Sequence, residues 1–402
     1  MKLRLNKTVA AIASSALLVM AVPAVGIASS SGAAVKHRQP LPTYVIGYEG
    51  PLSGGNLQLG LNMVFAVELA INQYNANVHH RQFKLKLARY DDQGDPTISP
   101  TEAQAAVANR NLIAIVGPAF SGATAAAEPY YAKAHVATVS PSATNPSLAT
   151  KGWNNFFRVV ADDSVQGPAD ANYLVKTKGF KSVYVVNDGS SYGAGLAQAV
   201  ATQAQSDGAK VTTATVPGTG QCNNGTASAT EYQAAATQVV ASGASAMFYG
   251  GYYCDLGLFL GALSSSGYTG VVMSGDGSDS PALIQGTTPA SAANGVLLSC
   301  ACSASNNAAF NKGYQNLSNF SAATATYAPE SYDATNTIIA AMKALLTQHK
   351  KITRANLVAE LHKITFKGIT KIVHFQKNGN IAGSAIYVNK VENGKIVQLG
   401  LE

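Results

Sequence analysis

The protein has 402 residues, of which 47% are hydrophobic and only 12% are charged. Because domains average roughly 100–200 residues, this length predicts two units with sizeable cores and excludes a single small module. Residues 1–28 hold three of the 28 basic residues and none of the 21 acidic ones, so the formal net charge of +7 falls to +4 for the remainder. This small net positive charge excludes a typical nucleic-acid-binding protein, in which basic residues are concentrated in stripes.

The charged fraction is about half of the roughly 25% found in ordinary globular domains. Carboxylates that are paired in the native state destabilise a fold when they become protonated. We therefore hypothesise that the small number of carboxylates is an adaptation to an acidic environment.

Residues 1–28 are typical of a secretory signal peptide, with three basic residues, an uncharged run over residues 9–25 and small residues at positions 26 and 28. An uncleaved membrane anchor is the alternative, which Pro23 and the neighbouring serines disfavour. No cysteine precedes Cys222, so no thiol near the cleavage site could carry a lipid. We expect an exported protein, periplasmic or secreted after cleavage.

From residue 43 onward, short β-rich runs alternate with longer helical patterns, which is typical of βαβ units and a parallel sheet. Apolar residues three and four positions apart give the first helix one apolar face. The predicted elements of the first half are strand Thr43–Tyr48, helix Leu57–Asn75, strand Phe83–Tyr90, helix Ser99–Asn109, strand Leu112–Val116, helix Gly122–Lys133 and strand Val136–Ser140.

A second series of the same kind follows, so the sequence predicts two doubly wound sheets in tandem. Its elements are helix Gln166–Lys176, strand Ser182–Asn187, helix Gly193–Ser206, strand Lys210–Val216, helix Ser228–Ala241, strand Ala246–Gly250, helix Leu256–Ser265 and strand Val271–Ser274. After a strand that ends at Ser299 and a helix near Phe310, we expect helices Tyr332–Leu346 and Arg354–His362. Two Asn-Gly turns then separate three hairpin strands, Lys371–Gln376, Ser384–Asn389 and Lys395–Leu399.

The four cysteines suggest disulfides in an exported chain, with three possible connectivities. The preferred pairing joins Cys222 to Cys254. Cys300 and Cys302 lie on one face of a strand about 6.6 Å apart, near the upper limit for a disulfide, so a bond between them requires a local bend. Metal binding is the alternative for this pair, although no histidine or second cysteine pair lies near in sequence.

Polar or glycine-rich corners follow several of the predicted strands. In open α/β sheets ligands bind at the carboxyl ends of strands, where helix N-termini present free N–H groups. Each corner alone resembles an ordinary helix N-cap, but together, on both lobes, they indicate a polar ligand cleft. They lie at residues 51–55, 117–122, 140–144, 190–193 and 250–253.

In order and spacing these corners resemble those of the periplasmic leucine/isoleucine/valine-binding proteins of ABC importers, which are type I periplasmic binding proteins. The resemblance runs from about Tyr44 to the C-terminus. The matching landmarks are Pro51-Leu52-Ser53-Gly54, Tyr90-Asp91-Asp92 with Asp95-Pro96, Ile115-Val116-Gly117 with Ser121, Ser140-Pro141-Ser142-Ala143-Thr144, Gln166-Gly167-Pro168, Tyr192-Gly193 and Tyr249-Gly250-Gly251-Tyr252.

The resemblance implies an α/β fold of two doubly wound parallel-sheet lobes joined by a three-strand hinge. It places the first lobe at residues 41–160 plus 303–385 and the second at 161–302 plus 386–402. The implied function is extracytoplasmic capture of a branched-chain or related amino acid by hinge closure, followed by delivery to the membrane permease. No enzymatic activity, cofactor, metal or nucleic-acid partner is expected, and the protein is expected to be a monomer.

The same resemblance implies roles for individual residues. Ser121 and Thr144 would hold the ligand α-carboxylate through hydroxyl and N–H groups. The ligand ammonium would meet the Ser142 carbonyl, the Thr144 hydroxyl and the Asp276 carboxylate. The remaining residues of the implied site are Ala143, within the same corner, and Tyr192 and Tyr252, which would close over the apolar side chain from the second lobe.

Four positions depart from the family pattern. Leu59 stands where an aromatic residue is usual and is included in the site, and Asp276 stands where glutamate is usual. The cysteines of the family's first-lobe disulfide are replaced by Gly94 and Phe120. The apolar end of the pocket is therefore expected to differ in size from that of the relatives.

Two other classes of function remain as alternatives. An enzyme requires an activated nucleophile or a metal site, but the sequence contains no H-E-x-x-H, Walker A or dinucleotide-binding motif, and its seven histidines are scattered. Asp276 and Asp279 could form a carboxylate pair, although Asp279 is expected to be an exposed turn residue. The second alternative is a sensor or binding protein for short amides or other small organic solutes.

Overall fold

The computed structural model describes residues 40–219, 230–383 and 385–401. The predicted signal peptide, residues 1–28, lies outside the described residues. So does Cys222, one partner of the preferred disulfide.

The first lobe is built on a parallel sheet in the strand order β2-β1-β3-β4-β5. Helices from both halves of the chain pack on it, since α9, α10 and α11 return from the C-terminal third. The elements are β1 Thr43–Gly50, α1 Leu57–Ala76, β2 Lys84–Asp91, α2 Ser99–Ala108, β3 Leu112–Val116, α3 Ser121–Lys133, β4 Ala137–Ser140, β5 Phe156–Arg158, α9 Ala308–Ser318, α10 Ala328–Thr347 and α11 Arg354–Leu361.

The second lobe has a seven-stranded sheet in the order β14-β13-β10-β9-β8-β6-β7, parallel except for the antiparallel strands β13 and β14. The elements are α4 Asp163–Asn172, β6 Ser182–Asn187, α5 Ser191–Ser206, β7 Lys210–Thr215, α6 Thr230–Ala241, β8 Ala246–Gly250, α7 Tyr253–Ser265, β9 Val271–Ser274, α8 Pro281–Gly286, β10 Leu297–Cys300, β13 Tyr387–Glu392 and β14 Lys395–Leu401. A separate antiparallel pair, β11 Thr365–Lys367 with β12 Ile372–His374, lies against the first lobe, where the N–H of Ile369 donates to Asp333 of α10.

Both sheets are covered by helices on their two faces, because alternate residues of a strand point to opposite sides. In β1, Val45 packs with α2 and α3, whereas Ile46 packs with α1 and α10. In β6, Val183 packs with α5 and Tyr184 with α6 and α7. The predicted fold class, two doubly wound α/β lobes, is confirmed.

Several boundaries differ from the predicted ones. Helix α7 begins three residues early, at Tyr253, so Tyr252 is the residue that precedes it. Helix α4 begins at Asp163, where the Asp162 carboxylate accepts the N–H of Ser164 (3.1 Å). Strand β5 has only three residues, too few to show a period-two pattern.

Cys300 and Cys302 form a disulfide across the local bend that their spacing in the sequence requires for such a bond. Strand β10 ends at Cys300, the chain bends, and a disulfide connects it to Cys302 with a Cα–Cα distance of 4.9 Å. The two sulfur atoms are therefore bonded to each other rather than available to a metal.

The expectation that Asp279 is exposed is wrong. Its side chain is buried, and Asn389 of β13 donates to Oδ2 at 3.0 Å. The Thr326 hydroxyl donates to the Asp279 carbonyl. Both partners are distant along the chain, so the glycine- and serine-rich local sequence gave no sign of this burial.

The first lobe also buries carboxylates away from any cleft. Glu49, at the end of β1, accepts hydrogen bonds from the hydroxyls of Ser99 (2.5 Å) and Tyr131. Burial raises the pKa of Glu49 to about 8 and that of Asp92 to about 7. Their protonated forms are therefore favoured in the folded protein.

Substitutions in the apolar face of α10 test the packing of the first-lobe core. Ile338 is fully buried, whereas Ile372 is 61% exposed. We expect Ile338→Ala to lower the free energy of unfolding by about 2–5 kcal/mol, because it leaves a cavity between helix and sheet. The matched control Ile372→Ala should change it by no more than about 0.5 kcal/mol. Urea unfolding measures both, and equal losses in the two variants would contradict this packing.

The raised carboxylate pKa values predict a pH dependence of stability. The pKa of Glu49 is about 8 in the fold against an ordinary value of 4.5. Between these values the native state binds more protons than the unfolded state, so stability is fully present at acidic pH and is lost as the pH rises. We expect the melting temperature to increase from about pH 8 to about pH 5.

Glu49→Gln should flatten this profile, because the amide mimics the protonated acid. The control Glu392→Gln, at an exposed position of β13, should leave the profile unchanged. A melting temperature that falls between about pH 8 and about pH 5 would show that other groups dominate the pH dependence.

Candidate ligand-binding cleft

The predicted site residues come from both lobes and follow the carboxyl ends of parallel strands. Ser121 begins α3 after β3, and Thr144 follows β4. In the second lobe, Tyr192 lies in the first turn of α5 after β6, Tyr252 follows β8 and Asp276 follows β9. Both sheets thus direct these ends toward one cleft, the position expected for ligands of open α/β sheets.

The first-lobe wall is organised by serine hydroxyls. The Ser121 hydroxyl accepts the N–H of Asn145 (3.2 Å), and the Ser140 hydroxyl accepts the N–H of Ala143 (3.0 Å). The Ser142 hydroxyl donates to the Ala119 carbonyl (2.7 Å), so this hydroxyl stabilises the loop. The groups of the first lobe that remain to face the cleft are therefore the N-terminal end of α3 at Ser121 and the backbone groups of residues 142–144.

Arg158 holds this wall from behind, and sequence reasoning missed it. The side chain is fully buried, and Nη1 donates to the carbonyls of Ala143 (3.1 Å) and Asn145 (2.9 Å). Nη2 pairs with Asp162 at 2.9 Å, and Nε donates to Asn380 at 2.8 Å. A lone arginine in the apolar run Phe156–Val160 was the available signal.

Asp276 is the acidic centre of the second-lobe wall. Its Oδ1 accepts the Tyr192 hydroxyl (3.1 Å) and its Oδ2 accepts the Tyr327 hydroxyl (2.5 Å). The N–H of Gly277 donates to the Tyr192 oxygen (3.0 Å). Burial raises the pKa of Asp276, and the hydrogen bond from Tyr327 opposes that rise. The Tyr192 hydroxyl thus orients Asp276, a role that the sequence did not predict.

A second carboxylate, Asp163, lies beside the first and was also missed. Its N–H donates to the Thr144 carbonyl (3.0 Å). The Thr144 hydroxyl lies beside the Asp163 carboxylate and partly opposes the rise of its pKa, and the described residues provide no further hydrogen bond to either group. Burial, and then the negative charge of Asp276, raise the pKa of Asp163 well above its usual range. Two buried carboxylates and a hydroxyl form a site suited to a cation.

Aromatic rings close the cleft from both sides. Tyr252 stacks on Phe120 of the first lobe with ring centroids 4.3 Å apart, and it also contacts Tyr192 at 5.2 Å. Leu59 is buried in the first turn of α1 and belongs to the same hydrophobic cluster as Phe120. Ala143 is fully buried and packs with other residues of the first lobe.

Polar contacts also join the lobes directly. The Tyr253 hydroxyl donates to the Gly55 carbonyl (2.8 Å) and accepts the N–H of Gln58 (3.2 Å). Asn145 Nδ2 donates to the Ser191 carbonyl (2.6 Å). The two lobes are therefore closed on each other in this structure.

Two α/β lobes that close over a polar cleft at their strand ends define a bilobal binding protein. A family model described as a periplasmic binding protein matches residues 43–395, and the chain belongs to that family. None of the helices within the described ranges has the length and hydrophobicity needed to cross a membrane.

Relatives and solved structures agree with this assignment. The chain is 30% identical over 237 residues to an amino acid binding protein of Pseudomonas aeruginosa, covering 59% of this chain and 61% of the relative. It spans about three fifths of the length of the curated relatives it matches.

In fold, the chain is similar to a leucine binding protein from Thermotoga maritima, with a TM-score of 0.78, 23% identity, and coverage of 89% of this chain and 98% of that one. It is also similar to a branched-chain amino acid transporter substrate binding protein from Streptococcus pneumoniae in complex with isoleucine. There the TM-score is 0.76 and the identity 24%, with coverage of 90% and 99%.

The Tyr253 hydroxyl provides a test of lobe closure. Tyr253→Phe removes two hydrogen bonds that cross the cleft, each worth about 0.5–1.5 kcal/mol, so the closed population should fall severalfold or more. Small-angle X-ray scattering should show a larger radius of gyration. The control Tyr268→Phe removes a hydroxyl that bonds to Ala244 within the second lobe (3.3 Å) and should leave the radius unchanged. An unchanged radius for both variants would mean that this hydroxyl does not govern closure.

Proposed function

We propose that this protein is the extracytoplasmic substrate-binding protein of an ABC importer, that it captures a branched-chain or related amino acid, and that it performs no chemistry on it. The observation that carries the proposal is the pair of buried carboxylates beside a helix N-terminus in one closed cleft. Such a site has opposite polarity at its two ends. Relatives described as amino acid binding proteins and a similar structure in complex with isoleucine support the same class.

The anionic end of the ligand is assigned to the first lobe. Helix α3 begins at Ser121, and a helix start combines free N–H groups with a partial positive charge. We assign the ligand α-carboxylate to the Ser121 hydroxyl and N–H and to the N–H of Thr144. Arg158 fixes the loop that presents Thr144 and is a positioning residue for this contact.

The cationic end is assigned to the junction of the lobes. An ammonium group can donate hydrogen bonds to the Ser142 carbonyl, to the Thr144 hydroxyl oxygen and to the carboxylates of Asp163 and Asp276. Each N⁺–H···O⁻ contact is stronger than a neutral one. It also neutralises carboxylates that are costly to bury unpaired.

Neutral amides, the alternative ligand class, fit this end less well. An amide offers no full positive charge, so Asp163 and Asp276 would remain uncompensated in a buried place. Tyr252, Phe120 and Leu59 are assigned to the apolar side of the ligand pocket. They set its size, and the choice among apolar side chains depends on them.

Closure follows from the arrangement of the lobes. We place the lobe boundaries at residues 41–160 plus 303–385 and 161–302 plus 386–402, with chain crossings near Val160–Ser164, Cys300–Ser303 and Ala385–Tyr387. A ligand held by both walls stabilises the closed form through its differential affinity. We further propose export by cleavage after about residue 28, disulfide formation outside the cytoplasm, and recognition of the closed monomer by the permease.

The decisive experiment is a thermal-shift screen followed by calorimetry. L-Leucine, L-isoleucine or L-valine should raise the melting temperature, since a ligand present at about 100 times its Kd adds about 2.7 kcal/mol of stability. Asp276→Asn and Ser121→Ala each remove one charge-assisted contact. We expect each to weaken binding roughly ten- to hundredfold.

Ser245→Ala is the matched control, because Ser245 bonds to Ser182 at the surface of the second lobe. It should bind as tightly as the unaltered protein. A shift produced only by small amides, unaffected by Asp276→Asn, would replace the amino acid with the alternative ligand class.

A further inference from the structure

A second cavity lies at the mouth of the cleft, outside the stacked rings of Phe120 and Tyr252. Its volume is about 540 Å³. The first lobe contributes residues 54–56, 93–96 and Phe120, and the second lobe contributes residues 188–190, 218–219, Tyr252 and Asp255. We call this space the outer cavity; it shares Phe120 and Tyr252 with the proposed amino acid site, and no ligand group has been assigned to it.

The charged residues that line the outer cavity are all acidic. Its lining includes Asp95 from the first lobe and Asp188 and Asp255 from the second, but no lysine, arginine or histidine among the described residues that line it. This occurs in a chain that has more basic than acidic residues. Facing carboxylates across a cleft repel each other and attract a positive group.

Asp188 is the residue that distinguishes this cavity from an ordinary acidic surface. It is only 7% exposed, yet it lines the cavity. Its Oδ1 accepts the N–H of Ser190 (2.9 Å), and hydrogen bonding by Ser190 partly opposes the rise of its pKa. No lysine or arginine within the described ranges forms an ion pair with it. A buried carboxylate without a cation is costly.

Asp255 adds to the negative charge beside it. It is buried at the start of α7, and its Oδ1 accepts the Thr219 N–H (2.7 Å) and the Tyr232 hydroxyl (2.6 Å). The charge of Asp255 and the burial of Asp188 both raise the pKa of Asp188, burial more strongly, to about 6. Asp188 is therefore mainly ionised at neutral pH.

One aromatic layer separates the outer cavity from the proposed amino acid site. Tyr252 lines the outer cavity, and its ring also contacts Tyr192, whose hydroxyl binds Asp276. A ligand whose α-amino and α-carboxyl groups occupy the inner site has its side chain beside this layer. A long side chain can therefore reach past the rings.

We propose that the outer cavity is a subsite for a positively charged ligand group, an ammonium or guanidinium, that pairs with Asp188. The proposal rests on the proposed function for its inner site and extends the ligand class to amino acids with cationic side chains. The same chemistry can come from two sources, the side chain of the bound amino acid or a separate small organic cation. The experiment separates them.

The first arm compares L-lysine with L-norleucine by calorimetry, because their side chains have the same four-carbon chain and only lysine ends in an ammonium. The intact protein should bind L-lysine at least tenfold more tightly. Asp188→Asn keeps an oxygen for the Ser190 N–H but removes the charge. It should reduce L-lysine binding ten- to hundredfold and leave L-norleucine within twofold.

The second arm adds cadaverine to protein saturated with L-leucine. Binding of cadaverine that Asp188→Asn abolishes identifies a separate cation as the occupant. If the intact protein binds neither L-lysine in preference to L-norleucine nor cadaverine, or if Asp188→Asn leaves both unchanged, the proposal is overturned.

Two further variants protect this test against a folding defect. Asp207→Asn alters a carboxylate at the end of α5 that pairs with Lys176 and does not line the cavity, so its ligand binding should match that of the unaltered protein. Asp95→Asn alters the partly exposed acid on the opposite wall and should weaken L-lysine binding severalfold. Binding of L-leucine and L-norleucine without any response to cations would refute this subsite alone, whereas failure to bind any amino acid would refute the proposed function.

Discussion

The burial of two carboxylates, Asp163 and Asp276, at the junction of the lobes is the constraint on which the rest of this structure depends. Removing a carboxylate from water costs several kcal/mol unless opposite charge and hydrogen bonds compensate for it. Asp276 receives two tyrosine hydroxyls, which compensate for part of that cost. Asp163 has, from the described residues, only the Thr144 hydroxyl beside its carboxylate. In the proposed function a cation between the two carboxylates would complete the compensation, so that ligand binding and stable burial would become one event.

Arg158 shows the opposite solution to the same problem. It is a fully buried charge, but two carbonyls, Asp162 and Asn380 satisfy its guanidinium group. A satisfied buried charge rigidifies its surroundings, because each partner is fixed by a directional bond. In this protein it fixes the loop around Thr144. The first lobe thus presents rigid acceptors and donors, while the Asp163 carboxyl group, whose pKa burial raises, lies where the proposed ligand would bind.

Much of the fold was predictable, because helical and strand periodicities are local signals and the polar corners follow the strands directly. The corners at Ser121 and Thr144 were found for that reason. Tyr327, Arg158 and the burial of Asp279 were not found, because most of the contacts involved are distant in sequence. Tyr327 lies 51 positions from Asp276, Asn380 lies 222 positions from Arg158, and Asn389 lies 110 positions from Asp279. Asp163 had a local sign, two consecutive acids before the Gln166-Gly167-Pro168 landmark, which only the structure made meaningful.

The closed form of this protein is held by contacts that do not involve a ligand, namely the Phe120–Tyr252 stack and the hydrogen bonds of Tyr253 and Asn145 across the cleft. These contacts favour closure, while the confinement of Asp163 and Asp276 opposes it. The lobe equilibrium is then set by the difference between two opposing sets of interactions. In the proposed function, a ligand that neutralises the carboxylates would remove the opposing set and need to contribute little else, because a small change in free energy shifts a balanced equilibrium strongly. The ammonium end of such a ligand would then govern closure, and the aromatic residues would govern which side chain is accepted.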